Sequence, residues 1–384
     1  MDRAVDVFFV SKPLVEPFDD SGKILPYLIA TRLPQFRFYV PVTKDARLEV
    51  SNIIPMPVFG SARGYKAGMW GKMSLFFKAL LNDAADIIHF FFSPNPMGNH
   101  FGRLLARWKR DVKTVQTVMS LPQTREELEG ALFADVVVVW SELGKEWAER
   151  AADQMDPAKR PRIVHIPPGI VPLRPLHPDV KRTIRGDLGY PPEDFLVVYP
   201  GDLEFTDAAV VTARAAKTFL ERIPSSLVMA MRPKTGKGES RLSLIREILS
   251  QELSSGKVRI EGSIPHFQDL ISVADLIVLP AEHTYAKTDI PLAVLEAMSA
   301  GVPAVVGITS AMRELVDKGV AVGVEPGDPE VLADTVIQLY TNGERIAKLR
   351  NVVADYVLQR HTADRMAEAF AGIYKELMEA GRNP

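Results

Sequence analysis

Glu296 is the one charged residue in the seventeen positions from Ile290 to Val306, inside the stretch TDIPLAVLEAMSAGVPAVV. A carboxylate in so apolar a helix must be partnered, neutralised or kept for a ligand, because burying an unpaired charge is expensive. Two chemistries fit. The carboxylate can accept hydrogen bonds from the vicinal hydroxyls of a ribose or hexose, or it can be satisfied by neighbouring backbone and the helix dipole. On these residues alone the two stand level. Thr288 or Asp289 is placed to cap this helix, Pro291 suits its first turn, and Gly301 with Pro303 ends it.

Other stretches combine glycine with cations or hydroxyls. In FDDSGK, Gly22 permits close backbone approach and Lys23 can reach a phosphate or an acceptor oxygen; an ordinary turn with an N-cap explains the same residues equally well. In HFFFSPNP, Ser93 and Asn95 are the polar candidates for acceptor hydroxyls, whereas Phe90 to Phe92 read as core and His89 as a satisfied interior residue. The loop MRPKTGKGESR carries Arg232, Lys234, Lys237 and Arg241 between a strand and a helix, where they could meet phosphate or simply be solvated. Lys287 is a further cation of that kind. The helices over Trp70–Leu81 and Arg103–Lys113 are amphipathic and basic respectively, faces that suit either solvent and core or anionic lipid headgroups.

Several chemistries are excluded. The chain has no cysteine, which rules out disulfides, thiolate catalysis and Cys-type zinc sites. A formal net charge of −2 and a pI near 6.4 give no sequence-independent grip on nucleic acid. No P-loop order, His-Glu-x-x-His pair, Gly-x-Ser-x-Gly elbow or Gly-x-Gly-x-x-Gly fingerprint occurs, and the seven histidines show no metal-ligand spacing. The expectation is a metal-independent protein without a resident cofactor. No apolar run approaches a membrane span, so a cytoplasmic location is expected, with peripheral membrane contact if a partner is lipid-linked.

The elements that must position these residues follow from periodicity. Short β-branched or aromatic runs alternate with helical-period segments, the pattern of α/β folds with parallel strands. Strands are expected over Val5–Val10, Phe36–Val40, Ile87–Phe92, Val112–Val118, Val136–Trp140 and Ile163–Ile166. After the proline-dense IPPGIVPLRPLHP, read as a linker, a second series covers Leu196–Tyr199, Leu227–Met231, Val258–Ile260, Leu276–Leu279 and Ala304–Val306. The expected domains are 1–168 and 169–361, with a last helix near 362–384 packing back on the first. In such sheets ligands bind beyond the carboxyl ends of the strands, where helix N-termini face anions.

The ordered set IPPGI, VRIEGSIPHFQDLISVADLIVLPA, PLAVLEAMSAGVPAVV and VEPGDPEVLADTV resembles the nucleotide-sugar half of retaining glycosyltransferases of family 4. The resemblance covers roughly Ile163 to Val336 and implies the GT-B fold, two Rossmann-like doubly wound parallel-sheet domains facing a cleft. It implies transfer of a hexose from a nucleotide diphosphate sugar to a hydroxyl of a sugar or lipid-linked acceptor, with retained configuration and no metal. Glu296 matches the second glutamate of the family's paired-glutamate motif, expected on the ribose. Backbone N–H groups around Leu292 would meet the diphosphate, and the loop Gly262–Pro265, with Gly262 and Ile264, would border the base.

This chain departs from the family at three places. Thr288 stands where the first motif glutamate is expected, leaving Asp289 as the nearest carboxylate. After Gly201, Asp202 replaces the usual arginine, and Thr206 and Asp207 lie where a lysine is usual; Arg232 and Lys237 are the candidates to compensate. Met119, beside Ser120, replaces a histidine. Asp289 and Ser120 are therefore the catalytic candidates, with Gly22, Lys23 and Asn95 on the acceptor side. A binding protein that has lost transfer, or a sugar-nucleotide epimerase, would carry the same pattern.

Overall fold

The computed structural model describes residues 3–60, 68–262, 264 and 266–380. The chain divides into two compact units: residues 1–169 with 285–289 and 362–384, and residues 170–284 with 290–361. The short piece Tyr285–Asp289, expected in the second half, belongs with the first unit.

The first unit has seven parallel strands, β1 (Val5–Val10), β2 (Phe36–Thr43), β3 (Ile53–Phe59), β4 (Ile87–Phe92), β5 (Lys113–Val118), β6 (Val136–Val139) and β7 (Arg162–His165), in the order β3-β2-β1-β4-β5-β6-β7. Helices α1 (Ser21–Arg32), α2 (Met69–Leu81), α3 (Pro96–Trp108) and α4 (Glu142–Asp153) connect them. The VVVV run of β6 and most of β1 and β4 are buried, as strands covered on both faces must be. β3 was missing from the expected strands because Pro55 and Pro57 interrupt it. Prolines are tolerated there since β3 lies at the sheet edge, where a missing N–H costs no ladder bond.

The second unit repeats the plan. Its helices are α5 (Pro178–Asp187), α6 (Ala208–Arg222), α7 (Gly236–Ile248), α8 (Ser250–Ser254), α9 (Phe267–Val273), α10 (Leu292–Ser299), α11 (Arg313–Asp317), α12 (Pro329–Thr341) and α13 (Gly343–Arg360). Strands β8 (Phe195–Tyr199), β9 (Ser225–Ala230), β10 (Val258–Glu261), β11 (Leu276–Leu279), β12 (Ala304–Gly307) and β13 (Val322–Val324) run in the order β10-β9-β8-β11-β12-β13. β13, only three residues long at an edge, is the other strand that periodicity did not reveal. In both sheets the order reverses beside the first strand, between β1 and β4 and between β8 and β11, which creates a crevice at the carboxyl ends of those pairs.

The last helix, α14 (Ala363–Ala380), packs in the first unit, where Asp364 pairs with Arg32 at 2.8 Å and Glu376 with Arg162 at 2.8 Å. Beneath it His89 is fully buried between the Tyr374 hydroxyl and Thr117 Oγ1, each 2.7 Å away. Burial drives the His89 imidazole well below the usual histidine range, so it is neutral. Among the described residues no helix is long and apolar enough to cross a membrane.

Candidate functional site

In the second unit, α10 begins at Leu292 with Pro291 as its N-cap, and no side chain caps it. The expectation that Thr288 or Asp289 would do so is corrected here: both are buried in the 285–289 piece of the first unit, too far upstream in sequence to reach the first-turn N–H groups as an N-cap does. The N-terminus of α10, with no acid in its first turn, is thus left to attract an anion from elsewhere. Glu296 sits one turn along and is half-buried. Loss of water pushes its carboxyl up to about 7, opposed only by a long hydrogen bond, 3.4 Å, donated by Gln268 Nε2. Among the described residues no cation pairs with it. Gln268, on α9, is a neighbour that no sequence signal announced.

At the end of β8 the glycine is required by packing: a Cβ on Gly201 would lie 2.0 Å from the Tyr199 ring. Asp202 turns its Oδ1 onto the Glu204 N–H at 2.9 Å, a local turn-forming bond. Glu204, absent from the sequence-based candidates, is the better connected acid. Its carboxylate accepts the backbone N–H of Lys234 at 2.6 Å and of Thr235 at 3.2 Å, and the Thr235 hydroxyl as well. Burial raises its pKa, but these bonds outweigh burial and hold it below the usual range. The entry to α7, where the cations of MRPKTGKGESR could meet phosphate or simply be solvated, therefore already holds a carboxylate of the same chain.

Arg241 is committed to an ion pair with Asp207 and donates to the Leu203 carbonyl at 3.0 Å. Of the other cations, Arg232 is half-buried, whereas Lys237 is exposed. Gly262 is exposed and Ile264 half-buried after β10; Ser263 and Pro265, which complete the loop expected at the base, lie outside the described residues.

The first unit carries a cavity of about 410 Å³ at the β1/β4 reversal. Gly22, Asn95 and Ser120 all line it, together with Met119 and Lys287. Three candidates far apart in sequence are thereby gathered at one crevice. Asn95 caps α3, accepting from Gly98 N–H at 2.8 Å, and Asp20 caps α1 through Gly22 N–H at 2.7 Å. Lys23 is not among the lining residues; its Nζ donates to the Pro17 carbonyl at 3.1 Å and pairs with Asp19. Ala286, in the wall, has φ 61°, a left-handed conformation that costs a non-glycine residue about 1–2 kcal/mol.

Asp289 does not line this cavity. Its Oδ2 accepts the Ser141 hydroxyl at 2.6 Å and its Oδ1 the Leu121 N–H at 3.1 Å, at the start of α4. Burial pushes its carboxyl up to about 6 against the lowering effect of those two bonds. The geometry makes Asp289 a clamp between β5, α4 and its own segment, and leaves Ser120 as one of several hydroxyls on the cavity wall, donating to the Leu121 carbonyl at 3.0 Å.

Comparison with known proteins bears on both units. Residues 195–342 match the model of the family "Glycosyl transferases group 1". The chain is similar to "Putative glycosyltransferase EpsD" of Bacillus subtilis (strain 168), 28% identical over 54% of this chain and 52% of that protein. It is also similar to "Uncharacterized glycosyltransferase MJ1607" of Methanocaldococcus jannaschii, 26% identical over 52% of this chain and 49% of that one. The chain thus spans about half the length of the curated relatives it matches. Among solved structures, sucrose-phosphate synthase of Thermosynechococcus elongatus superposes with a TM-score of 0.78 at 17% identity, covering 98% of this chain and 100% of that one. Anabaena HepE in complex with UDP-glucose gives 0.75 at 16% identity, covering 97% and 100%. The fold is GT-B. Two Rossmann-like parallel sheets of seven and six strands are the GT-B plan, and the segment matched by the family model spans β8 to the end of α12, which includes α10 and Glu296.

Proposed function

We propose that the protein is a retaining glycosyltransferase of family 4, in which the second unit binds a nucleotide diphosphate sugar and a hexose passes to an acceptor hydroxyl bound by the first. The observation that carries this reading is Glu296: half-buried, without a cationic partner among the described residues, and on a helix whose N-terminus none of their side chains caps, within the matched segment. In this reading its carboxylate accepts the ribose hydroxyls, and the N–H groups at Leu292 face the diphosphate. The complex of HepE with UDP-glucose supports a nucleotide sugar as the donor class.

The protein's part in the chemistry is positioning and charge stabilisation. The acceptor oxygen attacks the anomeric carbon on the face the diphosphate leaves, the glycosidic bond to phosphate breaks, and the departing phosphate oxygen takes the acceptor proton. Thr288 is buried in the first unit with its Oγ1 unbonded among the described residues, and Gly201 packs closely against Tyr199. Incubation with UDP-, GDP- and ADP-sugars, followed by nucleotide release with and without acceptors, tests the reading; no release and no thermal shift across the panel would overturn it.

A second reading, donor binding without transfer, is favoured by one observation. Asp202 and Glu204 stand together after β8, Asp207 beyond them being paired with Arg241, and Glu204 accepts the N–H groups at the entry to α7. Two charges at contact interact with about 4 kcal/mol at an effective dielectric of 20. A diphosphate must therefore keep clear of these acids. Tight nucleotide binding with no turnover, and no epimerised sugar by NMR, would select this second reading.

A further inference from the structure

The cavity of the first unit has two chemically different regions. Leu75 and Phe76 of α2, Phe90 of β4, and Leu105 of α3 are buried residues that form an apolar interior. Among the described residues Lys12, Lys72 and Lys287 also line it, with Asp20 the single carboxylate, which pairs with Lys12 at 2.7 Å. Lys72 is exposed, so the cationic region belongs to the mouth. A free sugar offers neither an apolar body for such an interior nor an anion for the net positive charge at its mouth.

The same helices carry apolar side chains into solvent. On α2, Trp70, Phe77 and Leu81 are 85%, 49% and 76% exposed; their i, i+7, i+11 spacing puts them on one stripe, which Lys78 adjoins. On α3, Met97, another cavity residue, is 38% exposed and Trp108 56%. Apolar surface thus runs from the cavity lining onto the outer face of α2 and α3, where monomeric soluble proteins rarely keep large aromatics together.

From these two observations we infer that the cavity binds an amphipathic phosphate ester, its apolar chain among Leu75, Phe76 and Phe90 and its phosphate beside Lys72 and Lys287. This rests on the glycosyltransferase reading only in naming that ester as the acceptor; the binding itself does not depend on a donor. A chain longer than the cavity would leave it past the half-exposed Met97.

The test uses dodecyl phosphate below its micellar concentration, dodecanol, and inorganic phosphate, each titrated into the full chain without nucleotide and followed by calorimetry and thermal shift. Dodecyl phosphate should bind at least tenfold more tightly than dodecanol, and inorganic phosphate should give no shift. Met97→Trp, at a tolerant half-exposed position, should weaken dodecyl phosphate about tenfold by filling the mouth. The double variant Lys72→Gln, Lys287→Gln should weaken dodecyl phosphate and leave dodecanol unchanged, with unliganded melting temperatures checking that both variants fold. Vesicles of phosphatidylcholine with and without phosphatidylglycerol separate a bilayer source from the monomeric ester. Binding of the bilayer alone, equal response to inorganic phosphate, equal affinity for dodecanol, or no binding of either amphiphile would each overturn the inference. Because donor binding to the second unit is measured separately, failure here leaves the glycosyltransferase reading standing, and a failed donor panel leaves this one standing.

Discussion

The Glu204 carboxylate accepts the Lys234 backbone N–H at 2.6 Å, so the start of α7 is sealed by an acid from the loop after β8. Charge-assisted bonds of this kind are the strong ones. Glu204→Gln should cost about 1–3 kcal/mol in urea unfolding. The folded pKa is depressed, so the contribution is complete above the unfolded value of 4.5 and fades as pH falls through the lower folded value. Wild type and variant should therefore converge in acid. If Glu204→Gln instead creates a phosphate-dependent thermal shift, the seal has been exchanged for an external anion.

Glu296→Gln should weaken nucleotide-sugar binding about tenfold, the worth of roughly 1.4 kcal/mol, by calorimetry. It should also stabilise the protein. The Glu296 pKa rises from 4.5 to about 7 on folding, so the folded state holds the proton longer and stability falls as pH rises through that window. Allowing for partial exposure, the variant should gain about 1–2 kcal/mol at pH 8 and nothing at pH 4. Equal donor affinity would remove Glu296 from the site.

Asp289→Ala would leave the Leu121 N–H and the Ser141 hydroxyl without their acceptor in a buried place. Each abandoned donor costs about 1–3 kcal/mol. The expected outcome is a destabilised first unit by hydrogen exchange at β5 and α4, with nucleotide affinity of the second unit unchanged. A fall in turnover without loss of stability would return Asp289 to the chemistry.

His89 predicts the opposite pH slope. It is neutral when folded and protonates when unfolded, so stability should drop below about pH 6.5 by about 1.4 kcal/mol per unit for this group. His89→Gln should be less stable at pH 8 yet show a shallower decline between pH 6.5 and 5. Urea unfolding across that range checks it.

Gly201→Ala should be poorly tolerated, since its Cβ would sit 2.0 Å from the Tyr199 ring, whose hydroxyl donates to the Asp202 carbonyl. A loss of about 1–3 kcal/mol is expected from such overpacking. An alanine variant of wild-type stability would show that the β8 loop shifts freely.

Sequence periodicity disclosed eleven of the thirteen strands, because fully covered parallel strands must be continuous apolar runs. It missed β3, whose prolines are permitted only by its edge position, and β13, which is too short to carry a period. The first failure concerns neighbours in the sheet, which no local window contains; the second concerns length alone.

The same division governs the site. Glu296 was legible by itself, because one acid among sixteen uncharged positions stands out in any numbering. Gly22, Asn95 and Ser120 were legible singly as residues after strands, but that β1, β4 and β5 end side by side around one cavity depends on strand order. Glu204 was invisible, since its partners lie about thirty residues away and two of the three are backbone groups that carry no residue identity. Thr288 or Asp289 suits a cap by sequence proximity to α10; folding instead buries both in the other unit, where Ser141 and Leu121 supply Asp289 with better partners. Composition and spacing fixed what kinds of groups the chain could bring to a ligand. Which of them remain available was settled by hydrogen bonds between segments distant in sequence, because a buried acid takes whatever donors the packed fold brings within reach.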